Sequence, residues 1–279
     1  MEQEPLFMGI DLGTSGVKVG VFDLEGKLTA RGSGRYETYF PRPGWVEQNP
    51  TEWWQAACHA IKEALAQVEP SRVQGVSVAG QHPTMVCTDA RGDPVRPAIL
   101  WADWRAEAEW KELSTRLGYE TKFTILPRLL WLKRYEPEHY QQTRWVLQSF
   151  DYLSFKFTGH PVFIEGILPP ITLQDLVKSD LDAGKFPSRF GKIGELFGFV
   201  TPECAHETDL PIATPVLAGT HDAYAAIIGI ALFGKGVASN TVGTTDGVTV
   251  VWDQPRSETG GQLYCVPHVV DGYWLFLFF

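Results

Sequence analysis

The segment Ile10-Asp-Leu-Gly-Thr-Ser-Gly-Val-Lys18 contains the residue types of a phosphate-binding turn. Asp11 ends a short apolar run and is followed by Gly13, Thr14 and Ser15. Exposed backbone N–H groups and hydroxyls in such a turn bind phosphate oxygens, and a carboxylate beside a phosphate can hold Mg²⁺. Lys18 could reach the phosphate, although the solvent-facing side of a strand explains it equally well. The plain alternative for Asp11 is that its carboxylate caps its own turn.

A second segment near residue 240 repeats this pattern. It also combines an extended run, a Gly-Thr-Thr turn and a Val-x-Val run, and its turn consists of Gly243, Thr244 and Thr245. Two such hairpins would hold a polyphosphate from both sides, so we predict a phosphate clamp formed by the two turns. The alternative is that Gly-Thr-Thr is simply a common hairpin turn.

Asp222 lies where a predicted buried strand over residues 216–219 passes through a tight turn into a helix. A carboxylate at a helix N-terminus is favoured by the helix dipole, so Asp222 could merely cap that helix. The functional interpretation is a general base that takes a proton from a substrate hydroxyl during phosphoryl transfer. We interpret the neighbouring His221 as structural.

Gln81 and His82 follow a predicted strand over residues 73–79 at its carboxyl end. Open α/β sheets bind their ligands at that end of the strands. We therefore predict that both side chains bind sugar hydroxyls and that they share a cleft with Asp222. A solvated loop is the alternative interpretation of this segment.

The spacing of hydrophobic and turn residues along the chain predicts the strands and helices that position these side chains. Alternating hydrophobic residues and turn residues predict strands over residues 6–11, 17–22, 28–36, 73–79, 84–88 and 216–219, and later over 236–242 and 248–251. Helical spacing predicts a helix that begins at Asn49-Pro50, and others over residues 104–117, 127–135, 152–157, 189–197 and 221–232. This mixture predicts an α/β fold with a mixed sheet flanked by helices.

The composition excludes several classes of protein. Hydrophobic residues make up 44% of the 279 residues and charged residues 20%, which is ordinary for a globular chain and excludes disorder as the main state. The net charge of −9 and the absence of a long apolar run argue against a nucleic-acid or membrane partner. The cysteines are widely spaced, which predicts reduced thiols in a cytoplasmic protein, not a disulfide framework or a zinc site.

In chain order, these segments resemble the FGGY carbohydrate kinase family, and they are most similar to its xylulokinase-like members. The matching segments are Ile10 to Lys18, Gly44-Trp-Val-Glu-Gln-Asn-Pro50, Gly80-Gln81, Arg96-Pro-Ala-Ile-Leu-Trp101 with Asp103 and Arg105, Asp151-Tyr-Leu with Thr158-Gly159, Gly219-Thr-His-Asp222 and Val242-Gly-Thr-Thr245. The resemblance implies a ribonuclease-H-like (actin/hexokinase-like ATPase) fold with ATP in the cleft between two domains. It also implies that Asp222 matches the catalytic base of the family and Asp11 its carboxylate linked indirectly to Mg²⁺.

On this resemblance we expect two domains. Residues 1–234 would bind the sugar and carry the catalytic base, and residues 235–279 would begin a nucleotide-binding domain that is incomplete. We expect the segments that hold adenine and ribose in the family to be missing from this chain. The apolar strands near residues 248–251 and 273–279 would then lack partners, which predicts homodimers or other self-association.

The function implied is ATP-dependent phosphorylation of a hydroxyl of a ketose, such as xylulose, or of a polyol, with ATP and Mg²⁺ as cofactors. Xylulokinases carry Met-His after their Gly-Gln, whereas this chain has His82-Pro83, so the identity of the sugar stays open. One alternative is a non-catalytic sugar-binding or regulatory remnant of such a kinase. A chaperone-class or actin-class ATPase would share the fold, but it should lack the Gly-Trp-Val-Glu-Gln segment.

Overall fold

The computed structural model describes residues 4–164, 171–188, 190–230, 232–241, 247–255 and 263–278. The described residues up to Asp222 form one compact unit, and those from Ala223 onward form a second. The domain boundary after residue 234 stays a prediction. No helix within the described ranges is long and apolar enough to cross a membrane.

The strands of the first unit alternate with its helices along the chain. They are β1 (Leu6–Leu12), β2 (Gly16–Phe22), β3 (Leu28–Arg35), β4 (Glu47–Gln48), β5 (Val73–Gly80), β6 (Met85–Thr88), β7 (Ala98–Ile99), β8 (Trp145–Gln148), β9 (Phe163–Ile164), β10 (Phe190–Gly191), β11 (Leu196–Phe199) and β12 (Pro215–His221). The helices are α1 (Pro50–Leu65), α2 (Glu107–Leu117), α3 (Leu126–Tyr135), α4 (Pro137–Gln142), α5 (Ser149–Thr158), α6 (Leu173–Lys178) and α7 (Pro202–Thr208). A further helix, α8 (Asp222–Gly229), begins at the last residue of this unit.

The main sheet of the first unit has six strands in the order β11-β12-β5-β1-β2-β3. β1, β2 and β3 form an antiparallel meander, whereas β5 lies parallel to both β1 and β12. Helix α1 packs against β2 and β3, and α5 packs against β5 and β12. The predicted mixed sheet with flanking helices is confirmed.

Helix α1 begins where the sequence predicts. The side chain of Asn49 accepts a hydrogen bond from Thr51 N at 3.0 Å, and Pro50 occupies the first turn, where its missing N–H costs nothing. The buried side of the helix includes Trp53, Ala57 and Ile61, which are all 0% exposed. This apolar stripe attaches the helix to the sheet.

A second sheet of four strands, in the order β4-β7-β6-β8, lies in the same unit. It carries its own hydrophobic cluster, to which helices α2 and α3 contribute Leu113, Leu129 and Trp131. This sheet matters for the site because the Gly-Trp-Val-Glu-Gln segment ends in β4 and the segment around Trp101 follows β7.

The helix predicted over residues 189–197 is wrong. This region instead contains β10 and β11, with Gly194 between them at φ +82°. β11 pairs antiparallel with β12, which lies about 20 residues further along the chain. This long-range pairing overrides the local pattern. The left-handed conformation at Gly194 is one that a helix interior does not adopt.

The second unit contains a four-stranded antiparallel sheet in the order β13-β14-β16-β15. Its strands are β13 (Ala238–Thr241), β14 (Gly247–Trp252), β15 (Tyr264–Pro267) and β16 (Trp274–Phe278). The expectation that the apolar strands near residues 248–251 and 273–279 lack partners is wrong, because β14 pairs with β13 and β16, and β16 also pairs with β15. The reason offered for self-association is therefore removed.

Candidate active site

Three neighbouring parallel strands of the main sheet end level with one another. Leu12 of β1 pairs with Gly80 of β5, and Gly80 also pairs with His221 of β12. Adjacent strands lie about 4.8 Å apart, so the residues that follow these three strands begin within about 10 Å of each other. The chain thus brings three loops to one edge of the sheet.

Each of these loops carries residues that the sequence singled out. Residues 13–15 follow β1, Gln81 and His82 follow β5, and Asp222 follows β12 as the first residue of α8. Gly219 permits this arrangement, because a Cβ atom at this position would lie 1.8 Å from the carbonyl oxygen of Val78 in β5. No other residue type allows the two backbones to approach so closely.

Asp11 and Lys18 lie opposite each other in the hairpin formed by β1 and β2. The Lys18 Nζ atom is 3.9 Å from Asp11 Oδ2, and the lysine side chain is 81% exposed. Partial burial raises the pKa of the Asp11 carboxyl, and the nearby lysine charge opposes that effect. A half-buried carboxylate next to a turn is a suitable partner for the water shell of Mg²⁺.

The loop of residues 13–15 is held through its carbonyl groups. Gly13 O accepts a hydrogen bond from the Tyr36 hydroxyl, and Thr14 O accepts one from Gln48 Nε2 at 2.7 Å. The hydroxyl of Thr14 accepts a third from Trp101 Nε1 at 3.1 Å. The loop backbone is closed by Gly13 N, which donates to the Gly16 carbonyl at 3.1 Å.

Gln81 is 0% exposed, and its side chain points into this network. Its Nε2 atom donates to Gln48 Oε1 at 2.9 Å and to Gly13 O at 3.5 Å. The structure therefore places the Gln81 carboxamide against the loop of residues 13–15. A direct contact between this side chain and a sugar stays a prediction.

His82 and His221 stack on one another beside Asp222, with ring centroids 5.2 Å apart and an angle of 24° between planes. His82 Nε2 lies 2.9 Å from the carbonyl oxygen of Phe123. Burial lowers the pKa of His82 to about 4 and, together with the neighbouring His82, lowers the pKa of His221 to about 3. Both rings are therefore neutral near pH 7.

Trp101 connects the loop to a region that the sequence interpretation did not assign to the site. The indole lines a cavity of about 40 Å³ whose other walls include Asp103, Trp104, Glu107, Trp110 and Lys122. Lys122 Nζ lies 5.0 Å from the centre of the Trp104 ring and 5.2 Å from that of Trp110. The clustering of tryptophans near Trp101 was the available signal, but other tryptophans, such as Trp53 and Trp54, are buried core residues.

The predicted second phosphate turn, Gly243, Thr244 and Thr245, lies outside the described residues. Within the residues that are described, no group of three or more His, Cys, Asp or Glu side chains could hold a metal ion directly. Asp11 is the carboxylate nearest the described phosphate loop in the sequence. An indirect, water-mediated role of Asp11 toward Mg²⁺ stays a prediction.

Known proteins share both the sequence pattern and the fold. The chain is 29% identical to a xylulose kinase of Escherichia coli over 96% of this chain and 59% of that protein, and 32% identical to one of Lactococcus lactis over 95% and 57%. The crystal structure of a xylulose kinase from Rhodospirillum rubrum superposes with a TM-score of 0.87 at 24% identity, covering 98% of this chain and 60% of that one. The chain therefore spans less than two thirds of the length of these relatives.

The superposition shows that the described sheet and helices adopt the actin/hexokinase-like ATPase fold. The pattern of the FGGY family of carbohydrate kinases, N-terminal domain, matches residues 6–168. This range includes the hairpin of Asp11, the Gln48 segment, the loop of Gln81 and His82, and Trp101. Because the match covers more than half of the chain and its residues meet at one sheet edge, the chain belongs to the FGGY family of carbohydrate kinases.

Proposed function

We propose that this chain serves in ATP-dependent phosphorylation of a hydroxyl group on a ketose or polyol. The observation that supports it is the level ending of β1, β5 and β12, which brings a phosphate-type loop, a polar loop and a carboxylate to one sheet edge. Phosphoryl transfer depends mostly on positioning and on charge stabilisation, and this arrangement supplies both. FGGY kinases use ATP as the phosphoryl donor.

In the proposed reaction, Asp222 accepts the proton of the attacking hydroxyl. The hydroxyl oxygen forms a bond to the γ-phosphorus of ATP as the bond to the β,γ-bridging oxygen breaks, and ADP leaves with that electron pair. The amides and hydroxyls of Thr14 and Ser15 bind the phosphate oxygens, with Lys18 available to add positive charge. Asp11 would hold Mg²⁺ through water, and the ion would neutralise phosphate charge.

A neutral sugar is the proposed acceptor. His82 and His221 are uncharged near pH 7, so the residues beside Asp222 offer hydrogen bonds without a positive charge that would favour an anionic sugar. The relatives from E. coli and L. lactis are named xylulose kinases, which supports a ketose such as xylulose. His82 would bind the hydroxyls, whereas Gln81 would reach them only by giving up its hydrogen bonds to Gln48 Oε1 and Gly13 O.

A non-catalytic sugar-binding or regulatory role is the second candidate. The chain covers 57–60% of the relatives' lengths. Residues 1–234 would form the sugar-binding domain, and residues 235–279 would begin the nucleotide-binding domain together with Gly243, Thr244 and Thr245. A cytoplasmic location is proposed with either role, since sugar phosphates are made where ATP is available.

A thermal-shift screen of the purified chain against pentuloses, polyols and hexonates tests the substrate class. A ligand at 100 times its Kd stabilises the folded state by about 2.7 kcal/mol, which is readily measured. We expect a pentulose or polyol to stabilise the chain and hexonates to have no effect. Stabilisation by hexonates alone would contradict the proposal of a neutral sugar.

A coupled assay of ADP release separates the two candidate roles. We expect the 279-residue chain to bind sugar better than ATP and to phosphorylate it poorly. Turnover within about 1–100 s⁻¹, the usual range of kinases, would show that the chain alone is a working enzyme. Sugar binding with no turnover would favour the non-catalytic role.

A further inference from the structure

Gln48 is a fully buried carboxamide in which every hydrogen-bonding position is used. Its Nε2 atom donates to Thr14 O and to Thr38 Oγ1, both at 2.7 Å. Its Oε1 atom accepts from Trp53 Nε1 and from Gln81 Nε2, both at 2.9 Å. A primary amide has two donors and two main acceptor positions, so Gln48 is completely satisfied and fixed in one orientation.

Gln81 extends this arrangement to the neighbouring residue of the loop. Its Nε2 atom also donates to Gly13 O at 3.5 Å, and the hydroxyl of Tyr36 donates to the same oxygen. Its backbone N–H donates to Leu12 O at 2.9 Å, which ties the end of β5 to the end of β1. The carbonyls of Gly13 and Thr14 are thus both drawn toward buried donors.

Because the peptide bond is planar, the direction of these two carbonyls also fixes the direction of the N–H groups that follow them. In a trans peptide the C=O of one residue and the N–H of the next point in opposite directions. Because the carbonyls of Gly13 and Thr14 point into the network, the N–H groups of Thr14 and Ser15 point away from it. Successive N–H groups that point the same way form an anion-binding concavity.

We propose that Gln48 and Gln81 are positioning residues that set the direction in which the Thr14 and Ser15 amides face the transferred phosphate. This inference rests on the proposed function and deepens it. The pair also links the phosphate loop to the polar loop, because Gln81 directly precedes His82. A neutral carboxamide suits this place, since it holds the loop without adding a charge beside bound phosphate.

The variant Gln48→Met removes both donors and both acceptors while keeping a side chain of similar size. We expect kcat to fall by about 10²-fold relative to wild type, because a misplacement of about 1 Å can have this effect, with the affinity for sugar unchanged. The matched control is Gln67→Met. Gln67 Nε2 also donates to backbone carbonyls, those of Arg31 at 2.6 Å and Glu63 at 2.8 Å, but Gln67 follows the C-terminal end of α1, whereas Gln48 precedes its N-terminal end.

A second variant keeps the test decisive if Gln48→Met does not fold. In Gln48→Glu the new carboxylate still accepts from Trp53 and Gln81 but has no hydrogen to give to Thr14 O. Protonation of that carboxyl restores one donor. We therefore expect the kcat of Gln48→Glu, measured per folded molecule, to recover as the pH is lowered, relative to wild type at the same pH. Counting only folded molecules separates this recovery from the gain in stability that protonation of a buried carboxylate also brings.

The closing experiment records ¹⁵N amide spectra and kinetics for the wild type, Gln48→Met, Gln48→Glu and Gln67→Met, with and without the ATP analogue adenylyl imidodiphosphate and Mg²⁺. The proposal requires the Thr14 and Ser15 amide signals to move in both Gln48 variants without ligand, and to stay in place in Gln67→Met. If the wild-type signals do not respond to the analogue, the phosphate-loop assignment fails. If they respond but are identical in the Gln48 variants, the positioning role alone fails.

Discussion

Two buried polar networks support the candidate site, and they differ in charge. The network around Gln48 and Gln81 is made of neutral amides, hydroxyls and indoles. The other is ionic: Arg105 contacts Asp103 at 2.8 Å and Glu47 at 2.7 Å, and Glu47 also contacts Arg96 at 2.6 Å. The side chains of Arg105 and Asp103 are 0% exposed, so this ionic network is as dry as the neutral one.

Two adjacent residues of one strand belong to different networks. Glu47 and Gln48 form β4, and the first belongs to the ionic network while the second belongs to the neutral one. Arg105 lies over the ring of Trp45, 3.8 Å from its centre, and fixes the segment after β7 to the smaller sheet. The ionic network therefore anchors structure, whereas the neutral network orients a loop.

Under the proposed function, the difference follows from the phosphate that would lie beside the neutral network and not beside the ionic one. A charged group next to bound phosphate would attract or repel it through the low-dielectric interior and would move as the phosphate leaves. A satisfied amide network fixes the loop without adding a charge. The electrostatic potential at the phosphate would then be set by the backbone N–H groups and by Asp11. The ionic network tolerates buried charges because its positive and negative side chains compensate one another, away from the loop.

The largest expected effect on activity lies outside both networks, at Asp222, because the networks only support the residues at the sheet edge. If Asp222 is the proposed base, Asp222→Asn should lower kcat by about 10²–10⁴-fold relative to wild type, because the amide cannot take the proton of the hydroxyl. The affinity for sugar should change little, since the amide can still accept a hydrogen bond. Steady-state ADP release measures this, and a variant with full kcat would remove Asp222 from the role of base.

The next largest effect should come from the ionic network. Arg105→Leu leaves Asp103 buried without its partner, so the free energy of unfolding should fall by about 3–5 kcal/mol. The control Lys111→Leu removes an exposed ion pair with Glu107 and should change it by no more than about 0.5 kcal/mol. Urea denaturation of the chain measures both. Equal, small effects would mean that the ionic network does not anchor the smaller sheet.

Low pH should destabilise the folded chain through the stacked histidines. The pKa of each is lowered in the folded state, to about 4 for His82 and about 3 for His221, from an ordinary 6.5. Below about pH 6.5 the two histidines are protonated in the unfolded chain but stay neutral in the folded chain. The two histidines therefore lower the free energy of unfolding as the pH falls toward 4, and this effect vanishes above pH 7.

The double variant His82→Gln, His221→Gln isolates this contribution. Its free energy of unfolding should fall less than that of wild type between pH 7 and pH 5, by denaturant titration at each pH. Burial raises the pKa of Asp151 to about 7, an opposite influence that is common to both proteins and cancels in the comparison. Identical pH dependence would show that the rings are not buried in solution.

The smallest expected effect concerns the link between the loop and the cavity. Trp101→Phe keeps an aromatic ring but removes the donor to the Thr14 hydroxyl, which should lower the free energy of unfolding by about 1 kcal/mol. The control is Trp104→Phe, an exposed indole, with a change within about 0.5 kcal/mol. If the two variants have the same urea midpoint, the hydrogen bond from Trp101 does not hold the loop.

Local signals predicted much of the fold. The Asn49-Pro50 start of α1 and the strands β1, β2, β3, β5 and β12 appear in the structure, because caps, turns and alternation are encoded within a few residues. The region of residues 189–197 was predicted as a helix because its apolar spacing is ambiguous. Its strand conformation depends on pairing with β12, which no local pattern contains.

The candidate site was predicted only in part for the same reason. Strand ends and turn chemistry indicated Asp11, His82 and Asp222, and the structure places all three at one edge of the sheet. The role of Gln48 was missed, although its segment was recognised as part of the family resemblance. Its four partners lie 5 to 34 residues away, so its burial and bonding emerge only in three dimensions.

The level ends of β1, β5 and β12 have a consequence for how such a protein can evolve. A strand advances about 3.3 Å per residue and alternates its faces, so one inserted or deleted residue within β5 would displace His82 by that distance and reverse the side on which it lies. Substitutions along these strands leave the alignment intact, except at positions such as Gly219, where a side chain would push β12 away from β5. We therefore expect the lengths of the three strands, counted to the loops, to vary less among homologues than the identities of most of their residues.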